Sequence, residues 1–181
     1  MRRTFLLFCL AAFVAGLTAT AATASSPHFK HGGEPVCTIS ATGSNSTSTT
    51  CTASLAGLGS GDLDINVTVS GSAVYQCKNN GGNIAPGQNR VLVGPTTTPT
   101  HIPGSAIKNG NVTFTTDPAV LSAPDTVSGA QAGCPNSTWT GVNPTLTVTS
   151  ITLTIAQGGT TLFTCTASNP NGLSGTVPLT C

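Results

Sequence analysis

The sequence predicts an all-β protein, an antiparallel sandwich of roughly seven to nine strands. Three observations carry this expectation. Thr, Ser, Gly, Asn and Val dominate, and no segment sustains helical periodicity with good helix formers. The stretch Leu63 to Cys77 alternates strictly: Leu63, Ile65, Val67, Val69, Ala73, Tyr75 and Cys77 share odd parity, whereas Asn66, Thr68, Ser70, Ser72 and Gln76 are even. That pattern gives a strand with one buried and one wet face. Turn signals such as Asn109-Gly110 and Gly158-Gly159 punctuate the rest.

The first 24 residues have the form of an export signal. Arg2 and Arg3 precede an apolar stretch from Phe5 to Leu17, and Ala22-Thr23-Ala24 supplies a small-residue cleavage site. Cys9 leaves with that segment, so Cys37, Cys51, Cys77, Cys134, Cys165 and Cys181 remain. Six cysteines in an exported chain read as three disulfides rather than a metal site. The remaining 157 of 181 residues suit one domain with a real core.

Along the mature chain, residues 25–35 read as a flexible N-terminal arm and 36–181 as a single β-sandwich domain. Val36–Ser40 and Thr47–Leu55 flank Gly43-Ser44-Asn45 and read as a hairpin. Gly71 interrupts the long alternating strand and marks a bend or bulge. A polar loop is expected from Lys78 to Asn89, then a short strand at Arg90–Gly94. Pro95–Gly104 holds three prolines and is extended or an edge. Asn111–Thr116 is a strand and 117–133 a loop. A final group comprises Ser137–Val142, Thr145–Gln157 and Thr160–Ala167. Within it Leu146 and Val148 are even but Ile151, Leu153 and Ile155 are odd, so a one-residue bulge near Thr149-Ser150 is needed to keep a common inward face. Asn171-Gly172 turns the last segment back toward Cys181.

Charge excludes several classes of function. The mature segment keeps Lys30, Lys78, Arg90 and Lys108 against Glu34, Asp62, Asp64, Asp117 and Asp125, a net charge of −1. Four scattered cations cannot displace phosphate counterions or hold an anionic membrane surface, so nucleic-acid binding is excluded. Beyond the signal, no apolar run approaches the roughly 18 residues of a spanning helix.

Four segments resemble a recurring pattern in small exported proteins, mostly bacterial, that have no assigned function. They are Cys77-Lys78-Asn79-Asn80-Gly81-Gly82-Asn83-Ile84-Ala85-Pro86-Gly87-Gln88-Asn89, Ile102-Pro103 through Ile107-Lys108-Asn109-Gly110, Cys134-Pro135-Asn136-Ser137-Thr138-Trp139, and Leu153-Thr154-Ile155 through Gln157-Gly158-Gly159-Thr160-Thr161. The resemblance covers roughly residues 62–165. It implies an immunoglobulin-like sandwich in which Cys77 is bridged to Cys134, and it brings no catalytic or ligand residue. Among the 15 connectivities that six cysteines allow, the favoured set adds Cys37–Cys51 and Cys165–Cys181, which would staple hairpins outside the shared core.

Each candidate for chemistry has a plainer structural reading. His28 and His31, with Glu34 nearby, have three-residue spacing, but Gly32-Gly33 and Pro35 oppose the helix that would align them on a metal. Asp62 and Asp64 have strand spacing that puts both on one face, as paired glycosidase carboxylates would need; a turn acid and a solvent-facing acid are the ordinary reading. With Asn66 they offer oxygens to calcium but lack the EF-hand spacing. His101 is the one histidine outside the arm, and no Gly-x-Ser-x-Gly elbow accompanies it. Trp139 and Tyr75 could stack on sugar, although proximity to Cys134 and buried parity favour a core role for each. Asn45, Asn66, Asn111 and Asn136 begin glycosylation acceptor patterns.

The expectation is a secreted or envelope-associated, non-catalytic β-sandwich with no catalytic residue, cofactor or metal ligand assigned. It would act by surface binding or as a structural module, on a cell-surface protein or glycan. A carbohydrate-binding module and an enzyme-inhibitor-like binding protein are the alternatives. Binding surfaces sit on loops over rigid scaffolds, so the contact candidates are Lys78, Asn79, Asn80, Asn83, Gln88, Asn89 and Arg90, on the loop that Cys77 tethers.

Overall fold

The computed structural model describes residues 26–181; the segment expected to be an export signal, residues 1–24, lies outside them. Eleven strands and two short helical turns follow one another: β1 (His28–Phe29), β2 (Val36–Ala41), β3 (Ser46–Ala56), β4 (Leu63–Lys78), β5 (Ile84–Ile102), a 3-10 turn at Gly104–Ala106, β6 (Val112–Thr115), β7 (Ala119–Ser122), β8 (Val127–Ser128), α1 (Gly129–Ala132), β9 (Thr140–Gln157), β10 (Thr160–Leu173) and β11 (Gly175–Pro178). They form two antiparallel sheets. In the first, β3 is central, with β1 and β2 along one edge, β6 and β7 along the other, and β11 beyond β2. The second has the order β10-β9-β4-β5, with β8 paired to β9.

The odd-parity residues of β4 are all buried and meet Ile151, Leu153 and Ile155 of β9 in the core. The first sheet supplies Ala53, Leu55, Phe114 and Leu121. The expected bulges are present. Ser70 pairs with Ser150 and Gly71 with Val148, leaving Thr149 as the extra residue that restores the inward face of β9. β5 shifts register at the same level, where Gly94 and Pro95 stand opposite Ser70.

Disulfides join Cys37 to Cys51, Cys77 to Cys134, and Cys165 to Cys181. The first staples the β2–β3 pair, the second ties β4 to the segment after α1, and the third fixes the C-terminal residue to β10. Three such bridges belong to an oxidising environment. No helix among the described residues is long and apolar enough to cross a membrane.

Four local expectations are corrected. Residues 26–35 are not a free arm: His28 and Phe29 pair with Ala56 and Leu55, Lys30 N–H donates to the Ser54 carbonyl, and Phe29 lies 4.5 Å from Phe163. One aromatic and a few backbone bonds suffice to dock a segment whose glycines suggested mobility. The loop after Lys78 shrinks to Asn79–Asn83, because the Asn/Gly/Pro-rich stretch beyond it pairs with β4 as an edge strand, where prolines are tolerated. Residues 117–133 contain β7, β8 and α1. The helix is closed by a capping box in which Ser128 accepts from Gln131 N–H and Gln131 Oε1 accepts from Ser128 N–H. Finally, Asn171-Gly172 lies in an irregular stretch of β10, and the chain reverses only after Leu173.

Candidate functional site

The second sheet turns its even-parity face outward. Most of that face is Thr, Ser and Asn, with rows such as Thr166–Thr152–Thr68–Thr97 running across four strands. Toward the C-terminal end of β4 the pattern breaks. Val74 is 41% exposed, Ile84 48% and Leu92, which pairs with Ser72, 87%, three aliphatic side chains on a polar face.

A double bulge opens a groove at this place. Between Val74 and Gln76, β4 has one residue, Tyr75. Opposite it β9 has Asn143 and Pro144, and β5 has Gly87, Gln88 and Asn89. Extra residues on both neighbours bend them away from β4. The resulting groove has a volume of about 770 Å³. Its lining comes from β4 (Val74, Gln76), β5 (Ile84, Pro86) and β9 (Asn143, Thr145), with Ser44 of the β2–β3 turn at its edge. Two conformational devices build it. Asn143 adopts φ 51°, a left-handed conformation that asparagine tolerates better than most residues. Gly87 packs so closely on the carbonyls of Tyr75 and Ala132 that a Cβ would collide with both.

The exposed polar groups of the groove are amides and hydroxyls, with no carboxylate or histidine among its lining residues. Asn143 Nδ2 donates to Gln76 Oε1 at 2.8 Å, which leaves Gln76 Nε2 as a donor and Asn143 Oδ1 as an acceptor side by side. Lys78 pairs with Ile84 and Arg90 with Val74, so the cations bracket the groove along β4. Arg90 Nη1 donates to the Pro170 carbonyl at 2.9 Å. Neither cation has a carboxylate within 4 Å among the described residues.

The contact candidates separate accordingly. Lys78 and Arg90 flank the groove. Asn79 and Asn83 close the turn on themselves, with Asn79 Oδ1 accepting from Asn83 N–H at 2.9 Å, and Asn80 is exposed beside them. Gln88 and Asn89 lie in the β5 bulge, where Asn89 Nδ2 donates to the Ala130 carbonyl. The sequence reading missed Val74, Ile84, Pro86, Asn143 and Thr145. An available signal was Val74 itself, an apolar residue at an even position of the alternating strand.

A second cluster lies at the opposite end of the sheet. His101 Nδ1 is 2.9 Å from Asp64 Oδ1, and its Nε2 is 3.8 Å from Asp62 Oδ2. Asp62 Oδ1 accepts from Gly104 N–H at 2.7 Å, capping the 3-10 turn. The hydrogen bond to Asp64 raises the His101 pKa most, the negative charges of Asp62 and Asp64 add to it, and desolvation opposes them. All three side chains are more than half exposed, and no hydroxyl is hydrogen-bonded to His101 among the described residues. Asn66 sits two residues along the same strand without joining them in a hydrogen bond. No group of three His, Cys, Asp or Glu side chains that could hold a metal ion occurs among the described residues.

Tyr75 is buried and its hydroxyl donates to the Pro124 carbonyl at 2.8 Å. Burial raises its pKa, and the charge of Asp125 adds to the shift. Trp139 is half-buried against the core. Among the acceptor-pattern asparagines, Asn45 Nδ2 donates to both Ala123 O and Asp125 Oδ1, and Asn111 Nδ2 to Asn109 O. Asn136 instead folds its Oδ1 onto Thr138.

No protein-family model matches the chain, and comparisons with curated proteins and with solved structures give no match. The fold is that of a disulfide-stapled protein of two antiparallel sheets with a groove beside β4.

Proposed function

We propose that this is an exported, non-catalytic, immunoglobulin-like β-sandwich that works by surface contact, at the cell envelope or outside it, through the groove beside β4. The observation that carries the reading is the pair of exposed aliphatics, Val74 and Ile84, beside the second of the two places where both neighbours of β4 bulge, the one that opens a groove. Leaving such side chains exposed, with Leu92 nearby on the same mainly polar face, gains nothing for folding, whereas apolar area that becomes buried on contact drives association. Three disulfides support export. The exposed Asp62–Asp64–His101 cluster has hydrogen bonds that hold turns and strand ends together, which supports a structural role for it rather than an acid–base one. A sugar-binding reading draws no support from Tyr75, which is buried with its hydroxyl occupied.

The test is binding of labelled mature protein to arrays of immobilised peptides and glycans, with product analysis of the same mixtures. Wild type binds, and V74D and I84D lose binding with an unchanged thermal midpoint. Release of a cleaved product, or unaltered binding by both variants, contradicts the proposal.

A further inference from the structure

We infer that the groove takes an extended peptide in which an aliphatic side chain lies between two acidic ones; this rests on the contact reading above and names its partner class. Four features select that chemistry. The exposed apolar part of the lining is aliphatic (Val74, Ile84, Pro86), and Tyr75, which also borders the groove, is buried and offers no aromatic plate for a sugar ring. The Gln76–Asn143 amide pair presents one free donor and one free acceptor, the complement of a peptide group. Lys78 and Arg90 stand at the two ends of the groove, and no acid within the described residues neutralises them. The cationic ends are set by residues four apart on β4, Val74 and Lys78, a span of about 13 Å at the strand rise. An extended ligand places positions i, i+2 and i+4 on one face over that same span.

The matching pattern is therefore acidic-x-aliphatic-x-acidic. Its carboxylates would meet Lys78 and Arg90 while the middle side chain enters between Val74 and Ile84. Arg90 keeps its bond to the Pro170 carbonyl through Nη1 and presents the rest of its guanidinium.

The probe is the heptapeptide acetyl-Thr-Glu-Thr-Val-Thr-Glu-Thr-amide, titrated at low salt into the isotope-labelled mature protein and followed by amide chemical shifts. Shifts should centre on Val74, Gln76, Ile84 and Thr145. Affinity should fall about tenfold for K78Q, for a peptide with Gln in place of Glu, and on raising salt to about 0.5 M, where exposed charges are screened. The variant I84S, which leaves both cations in place, should weaken binding similarly. Equal binding of the Glu and Gln peptides at these residues overturns the acidic class while leaving the groove a contact site. Shifts confined to other faces overturn both readings. No shift with millimolar Glu peptide overturns the inference.

Discussion

Asn143 and Gln76 are joined by a side-chain hydrogen bond of 2.8 Å across the bulge of β9. This bond braces β9 and β4 where their ladder is irregular, so the groove between them is held open by structure rather than by loop mobility. A preformed groove loses little conformational entropy when occupied, and that favours contact by a rigid sheet.

Gly71 lies where β4 meets the bulges of both neighbours. A Cβ there would run into the Thr147 carbonyl and come 2.9 Å from Leu121 Cδ2. G71V should destabilise the fold by about 2 kcal/mol through overpacking. Urea denaturation of the two proteins measures this, and an unchanged midpoint contradicts the packing described.

The central disulfide should matter most for stability. Cys77 and Cys134 are 57 residues apart, against 14 and 16 for the other bridges. The chain-entropy model then gives about 4 kcal/mol for Cys77–Cys134 and about 3 for each of the others. Paired Cys→Ser variants compared by thermal denaturation should rank in that order. A larger loss from removing Cys37–Cys51 would place the main constraint elsewhere.

His101 ties pH to stability. Its folded pKa is raised, so folding favours the protonated ring. The contribution is fully present below the unfolded value of about 6.5 and is lost as pH rises through the folded value. The stability advantage of wild type over H101Q should be small, because the group is exposed, and larger at about pH 6 than at about pH 9. Thermal midpoints across that range check it. An advantage that grows with pH contradicts the pairing with Asp64.

Much of the sheet structure was legible because β4 and β9 carry strong period-two patterns. The break in phase around Thr149-Ser150 fixed a bulge that the pairing shows. The hairpin of β2 and β3 was equally plain from its turn residues. Less legible was β5, since Asn, Gly and Pro describe both turns and a pairing edge strand, and only β4 alongside decides between them. The docked segment around Phe29 was hidden for a related reason: its partner, Phe163, is remote in sequence. The groove was half visible. Lys78 and Arg90 stood out as charges, but much of its lining comes from Val74, Asn143 and Thr145, which only strand pairing brings together. Likewise Asp62, Asp64 and His101 could be noted separately, whereas their meeting depends on the register of Asp64 with His101.

Contact is proposed at the groove and not across the Thr- and Ser-rich part of the same face. Site-specific photo-crosslinking tests it most directly, with a photoreactive residue placed at Gln76 in one protein and at Thr152, farther along the same outer face, in another. Both are exposed to cells of the producing organism and irradiated, and the adducts are resolved by mass. One discrete adduct is expected from the Gln76 position and none from Thr152. Equal adducts from both positions, or an adduct from Thr152 alone, would contradict the proposal.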